Sequence, residues 1–161
     1  MDTATLLQTA QTILAPFAER TTTPEPCRID IYLPAERIAE AVAAMQSAER
    51  WHMVTITGLD IPQTHDQDGS IELLYHFCQG AAIVTLRICV SYGEPIAPTI
   101  CGIIPSATLY EREVMEMFGV FFDGTPSRDR LLLPDDWPDW VYPMRKSFTG
   151  LEKNEVVSVK G

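Results

Sequence analysis

The sequence predicts an α+β fold, a mostly antiparallel sheet flanked by helices, with a long irregular C-terminal tail. Three observations lead there. Ile71, Leu73, Tyr75 and Phe77 alternate with more polar neighbours, Gln79-Gly80 supplies a tight turn, and Val84, Leu86, Ile88 and Val90 return in phase, the signature of a β-hairpin. Apolar residues at helical spacing lie on both sides of that hairpin, near the N-terminus and after the prolines at 95, 98 and 105. Beyond Gly119 neither period survives, yet Phe121, Phe122, Leu131 to Leu133, Trp137, Trp140 and Phe148 make the stretch too apolar for disorder.

Leu6, Leu7, Ala10, Ile13, Leu14 and Phe17 predict an amphipathic first helix that ends at Pro16 or the turn beyond it. The run TTTPEP then reads as a linker. Ile29, Ile31 and Leu33 alternate with Arg28, Asp30 and Tyr32 as in a half-buried strand, and Pro34 stops it while opening a helix with Ile38, Val42 and Met45 on one face. Residues 51–57 are β-branched and aromatic enough for a further strand, followed by the polar loop PQTHDQDGS. Ser106 is placed to cap a helix of about 12 residues that carries Tyr110, Val114 and Met117 or Phe118 and closes at Gly119. Arg112 and Glu116 stand i, i+4 on it, the spacing of an ion pair. The expected division is an α+β body over 1–118 and an extended partner-binding segment of the same domain over 119–161.

With 161 residues the chain holds one ordinary core, and 12 basic against 22 acidic residues give a net charge of -10 that repels nucleic acid. No basic residue precedes the first apolar stretch, so no export or transit signal is expected there. The uncharged runs 3–18 and 95–110 are too polar or too broken by proline to give the roughly 20 apolar residues of a spanning helix. Cys27, Cys78, Cys89 and Cys101 are dispersed, and read as reduced core thiols of a cytoplasmic protein. His52, His65 and His76 are isolated, and Asp66-Gln67-Asp68-Gly69 lacks the closing Glu of a calcium loop. Neither a metal, a flavin nor an iron–sulfur cluster is expected, and no nucleophile elbow, phosphate loop or H-E-x-x-H appears.

Glu111, Arg112, Glu113 and Glu116 crowd one short helix, an arrangement that the helix dipole and side-chain pairing explain without an active site. Arg128, Asp129, Arg130, Asp135, Asp136, Asp139, Arg145 and Lys146 lie among Trp, Pro and Leu, the composition of an interface. A longer pattern contains both groups. Tyr110-Glu111-Arg112-Glu113-Val114-Met115-Glu116-Met117-Phe118-Gly119-Val120, then Phe122-Asp123-Gly124-Thr125-Pro126, Arg130-Leu131-Leu132-Leu133-Pro134 and Pro143-Met144-Arg145-Lys146, closely resembles the signature of the 30 kDa subunit family of respiratory complex I. That family includes the C subunit of bacterial NADH–quinone oxidoreductase, with related subunits in membrane-bound energy-converting nickel-iron hydrogenases. The detailed match covers 105–148, and the family's usual Asp, His and Asp-Phe are here Glu116, Thr125 and Ser147-Phe148.

The resemblance implies a scaffold without cofactor or catalytic residues, in electron transfer coupled to ion translocation. It implies that the chain clasps a quinone-site, hydrogenase-large-like subunit and the adjacent cluster-carrying small subunit, peripheral to the inner face of the cell membrane. The equivalent place in an energy-converting hydrogenase is the alternative. The expected interface residues are Glu111, Arg112, Glu116, Phe118, Arg128, Arg130, Trp137, Pro143, Arg145 and Lys146. Of these Arg128, Arg130, Arg145 and Lys146 are expected to make the strongest partner contacts, so that Arg145→Ala spares the melting of the free domain while weakening assembly.

Overall fold

The computed structural model of the chain describes residues 2–151. The first helix, α1, runs Thr3–Leu14 and is capped by Asp2, whose carboxylate accepts from the Thr5 N–H at 2.8 Å. The threonine run after it is a strand rather than a linker: β1 (Arg20–Glu25) pairs antiparallel with β2 (Arg28–Tyr32). Three consecutive threonines favour extended backbone, and Pro24 is tolerated because β1 is an edge strand with a register shift between Thr22 and Glu25. After Pro34 the chain makes a short 3₁₀ turn over Ala35–Arg37 before α2 (Ile38–Ala48) begins, so the helix starts later than its proline suggests. Ile38, Val42 and Met45 are buried as their spacing requires.

Strand β3 (His52–Ile61) outlasts the β-branched run that announces it, and β4 (Ser70–Gln79) and β5 (Ala82–Ser91) form the hairpin. Gln79 pairs with Ala82, so the loop is Gly80-Ala81, one residue later than the sequence suggests, with Gly80 at φ 58°. The sheet order is β1-β2-β5-β4-β3, antiparallel except where β2 lies parallel to β5. That long-range pairing leaves no local trace in a sequence. A second, two-stranded parallel sheet joins β6 (Ile96–Pro98) to β7 (Phe121–Asp123) across α3 (Ala107–Phe118).

One phase of the large sheet, including Ile31, Leu73, Tyr75, Phe77, Leu86 and Ile88, packs with the apolar stripes of the three helices into one core. The opposite phase is polar and bonds to itself. Arg87 donates from Nε and Nη2 to both oxygens of Glu72 at 2.9 and 2.7 Å, and from Nη1 to Asp30 at 2.9 Å. Arg28 adds a second fork to Asp30. Asp30 and Glu72 are thereby buried by arginines rather than by apolar side chains. Of the cysteines only Cys101 is a core thiol: Cys27 and Cys89 are exposed and Cys78 is half-buried, because they fall on strand ends or on the outer phase. His52, His65 and Asp66 to Asp68 stay at the surface, Gly69 is buried against Tyr92, and His76 is half-buried beside Thr85.

Candidate subunit interface

Helix α3 and the segment that follows it hold most of the charged residues singled out above. Ser106 occupies the N-cap position in helical backbone and makes no side-chain cap, so the expected cap bond is absent there. At the other end Gly119 adopts φ 72° and its N–H bonds to the Met115 carbonyl. The Tyr142 ring lies where a Cβ on Gly119 would come within 2.3 Å, so only glycine lets the tail fold back here. Of the expected helix face, Val114 and Phe118 are buried and Met117 is half-buried. The face also contains Glu111, which the apolar spacing does not place there.

Glu111 is 0% exposed. Its carboxylate accepts from the Thr99 hydroxyl at 2.9 and 2.7 Å, the Ile100 N–H at 2.9 Å and the Cys101 thiol at 3.2 Å. These bonds direct it into the body and fix the loop between β6 and α3. Burial, and next Thr99 and Glu111, set the balance at Cys101, whose thiol pKa is pushed up, and burial with the nearby Glu111 charge raises that of Tyr75. Phe118 is also turned inward, its ring covering Gly58 of β3.

Arg112 and Glu116 do not pair with each other. Arg112 donates to the Asp129 and Arg130 carbonyls at 2.8 and 2.6 Å, and Glu116 accepts the Leu131 and Leu132 N–H groups at 2.5 and 2.8 Å. The i, i+4 spacing thus serves two parallel grips on residues 129–132, because a loop backbone satisfies both side chains better than a solvent-exposed ion pair would. Arg130 in turn donates to the Pro134 and Trp137 carbonyls and to Asp139, and the Trp137 indole N–H donates to the Val141 carbonyl.

The next segment is fastened to β3 and to the end of α3. Arg145 donates to the Phe118 carbonyl at 2.8 Å and lies over the rings of Tyr92 and Tyr142, Met144 N–H bonds to the Met117 carbonyl, and the preceding Pro143 is half-buried. Asp60, nearly buried, accepts from the Tyr92 hydroxyl and from the Lys146 N–H. Burial and that bond push the Tyr92 pKa up to about 12. The Lys146 side chain stays exposed, as does Arg128, whose guanidinium lies 5.2 Å from the Phe121 ring centre.

Between α3 and these loops is a groove of about 260 Å³ lined largely by apolar side chains, among them Met115, Val120, Phe121, Leu133, Trp137 and Trp140. Trp140 is 78% exposed and sits at φ 65°, a left-handed backbone that costs a bulky residue about 1–2 kcal/mol. Leu132 and Met144 are also more than half exposed. Sequence reasoning marks the segment by composition but misses the groove, whose walls come from residues far apart in the chain. Among the described residues no group of three or more His, Cys, Asp or Glu is placed to hold a metal, and no helix is long and apolar enough to cross a membrane.

The family model described as "Respiratory-chain NADH dehydrogenase, 30 Kd subunit" matches residues 31–154. The chain belongs to this family. The C subunit of NADH-quinone oxidoreductase from Phenylobacterium zucineum is 33% identical over 117 residues, 71% of the chain and 54% of the relative. Formate hydrogenlyase subunit 5 of Escherichia coli is 44% identical over 63 residues, 39% of the chain and 11% of that protein. The chain spans about half the length of its NADH-quinone oxidoreductase relatives, 54% of the first and 48% of one from Nocardioides. A chain of the archaeal respiratory membrane complex described as membrane-bound sulfane sulfur reductase superposes with TM-score 0.77 at 27% identity, covering 92% of this chain and 86% of that one. The trypsin-resistant fragment of Nqo5 shares the fold, with TM-score 0.61 at 23% identity over 77% of this chain and 97% of the fragment. The proteins that this chain resembles thus include subunits of NADH-quinone oxidoreductases, a formate hydrogenlyase subunit and a chain of an archaeal respiratory membrane complex.

Proposed function

We propose that this chain is a non-catalytic scaffold subunit in the peripheral arm of a complex I-like NADH–quinone oxidoreductase. In this reading it clasps the quinone-site, hydrogenase-large-like subunit and the adjacent cluster-carrying small subunit, and it reaches the membrane only through them. The observation that carries the reading is the surface built by α3 and residues 119–151. Its backbone is held firmly by Arg112, Glu116, Arg130 and Arg145, yet it presents Leu132, Trp140 and Met144 to solvent. A rigid segment that exposes large apolar side chains is suited to a partner, since docking then costs little ordering. Glu111 and Phe118 support that surface from inside, whereas Arg128, Trp137 and the Lys146 side chain are on its accessible side.

The equivalent place in an energy-converting hydrogenase is the second reading, favoured by the 44% identity to formate hydrogenlyase subunit 5. Purification of the tagged full chain from its native membranes in mild detergent, with identification of the proteins that accompany it, separates the two. Flavin-binding NADH-input subunits support the first reading, and a large subunit with paired nickel-binding C-x-x-C motifs supports the second. A chain that elutes alone from intact membranes overturns both.

A further inference from the structure

Resting on the scaffold reading, we infer that the groove lined by Trp137 and Trp140 is the socket for one segment of a neighbouring subunit. That segment presents an aromatic or branched aliphatic side chain next to a carboxylate. The volume of about 260 Å³ is suited to one or two side chains, lying below the range of about 300–1,000 Å³ usual for whole ligands. The lining selects an apolar occupant: Met115, Val120, Phe121, Leu133 and Trp137 form the walls.

The charges at the rim select its companion. Glu116 and Asp139 also border the groove, but Glu116 is occupied by the Leu131 and Leu132 N–H groups and Asp139 by Arg130. Arg130 gives its remaining donors to the Pro134 and Trp137 carbonyls. Arg128 is different. Its guanidinium lies over Phe121 at the groove's edge, is exposed, and meets no carboxylate among the described residues. A planar fork held above an aromatic ring beside an apolar socket is placed to take an incoming carboxylate. A second copy of this chain fits poorly, because two molecules that each carry a net charge of -10 repel one another.

Trp140 supplies the independent observation. An aromatic residue that is 78% exposed, at φ 65° where glycine is favoured, is stabilised neither by burial nor by its backbone. Its place in the lining of the groove is accounted for when an occupant packs against its indole there. Exposed aromatic and arginine anchors are the side chains that most often dominate such contacts.

The test uses the full chain in its native complex. Trp140→Gly should leave the melting temperature of the free chain unchanged or raised, because it relieves the backbone, while weakening the association with the neighbouring subunit about tenfold or more. Arg128→Glu should weaken association likewise and leave melting unchanged. A benzophenone amino acid at position 140 should cross-link in the assembled complex to a peptide of another subunit that contains Asp or Glu. Cross-linking to residues 152–161 of the same chain, to a second copy, or to nothing overturns the socket, as does unaltered assembly of both variants. Wild-type chain that co-purifies with partners while the variants behave normally refutes the socket alone. Wild-type chain with no partners refutes the scaffold reading itself.

Discussion

Glu111 brings a carboxyl group fully into the core, and four hydrogen-bond contacts from Thr99, Ile100 and Cys101 satisfy it there. Removing the carboxylate leaves a buried N–H and two further donors without their acceptor. Glu111→Leu is therefore expected to cost about 2–4 kcal/mol in urea unfolding, and Glu111→Gln, which keeps one oxygen for Ile100, distinctly less. Equal losses in the two variants would show that charge rather than the acceptor matters. Tyr92 offers a pH test. Its pKa of about 12 in the fold lies above the ordinary tyrosine value of 10.0, so its contribution to stability is complete below pH 10 and disappears as pH rises toward 12. Tyr92→Phe should lower stability at neutral pH and flatten that alkaline loss, read by melting alongside tyrosinate absorbance. Neither Glu111 nor Asp60 is legible in the sequence as an internal anchor, because acceptors of backbone N–H groups distant in the chain leave no periodic signal.

At the scale of elements, α3 is the member to which the rest is fitted. Its length, its glycine stop and its Val114 and Phe118 face follow from local rules that operate within one or two turns, and so they can be read directly. The hairpin is legible for the same reason. By contrast the β2–β5 and β6–β7 pairings depend on residues far apart, and β1 is hidden by a Pro24 that only an edge strand accommodates. The α3–β3 contact is tight at Gly58, where an added Cβ would lie 2.5 Å from the Phe118 ring. Gly58→Ala is expected to destabilise by about 1–3 kcal/mol, with part recovered when Phe118→Leu is added, since the two share one contact. The tail contributes to the same unit. Composition alone makes Arg145 a partner contact that leaves the free chain's melting unaffected, but its bond to the Phe118 carbonyl and its stacking on Tyr92 and Tyr142 make it an internal fastening. Arg145→Ala should therefore lower the free chain's melting temperature by several degrees, as a loss of about 1–2 kcal/mol implies. An unchanged melting curve would return Arg145 to the partner surface.

For the molecule as a whole, the segment after Gly119 is an organised outer layer as far as it is described, while residues 152–161 of the expected partner-binding region lie outside the described residues. The family signature is legible because it is long and locally ordered, from Tyr110 to Lys146. The groove is not, since its walls are assembled only when Arg112, Glu116 and Arg130 draw the loops onto α3. On the scaffold reading proposed above, a layer whose backbone is already fastened to its own body would lose little freedom when a partner docks. The most direct measurement is native-gel analysis of the hydrogenase-large-like and cluster-carrying subunits in membranes of a strain lacking this chain. The two subunits should no longer migrate together, and the electron transfer they carry should fall with them, both restored by the full chain. A complex that assembles at full yield and transfers electrons normally without the chain would contradict the scaffold role.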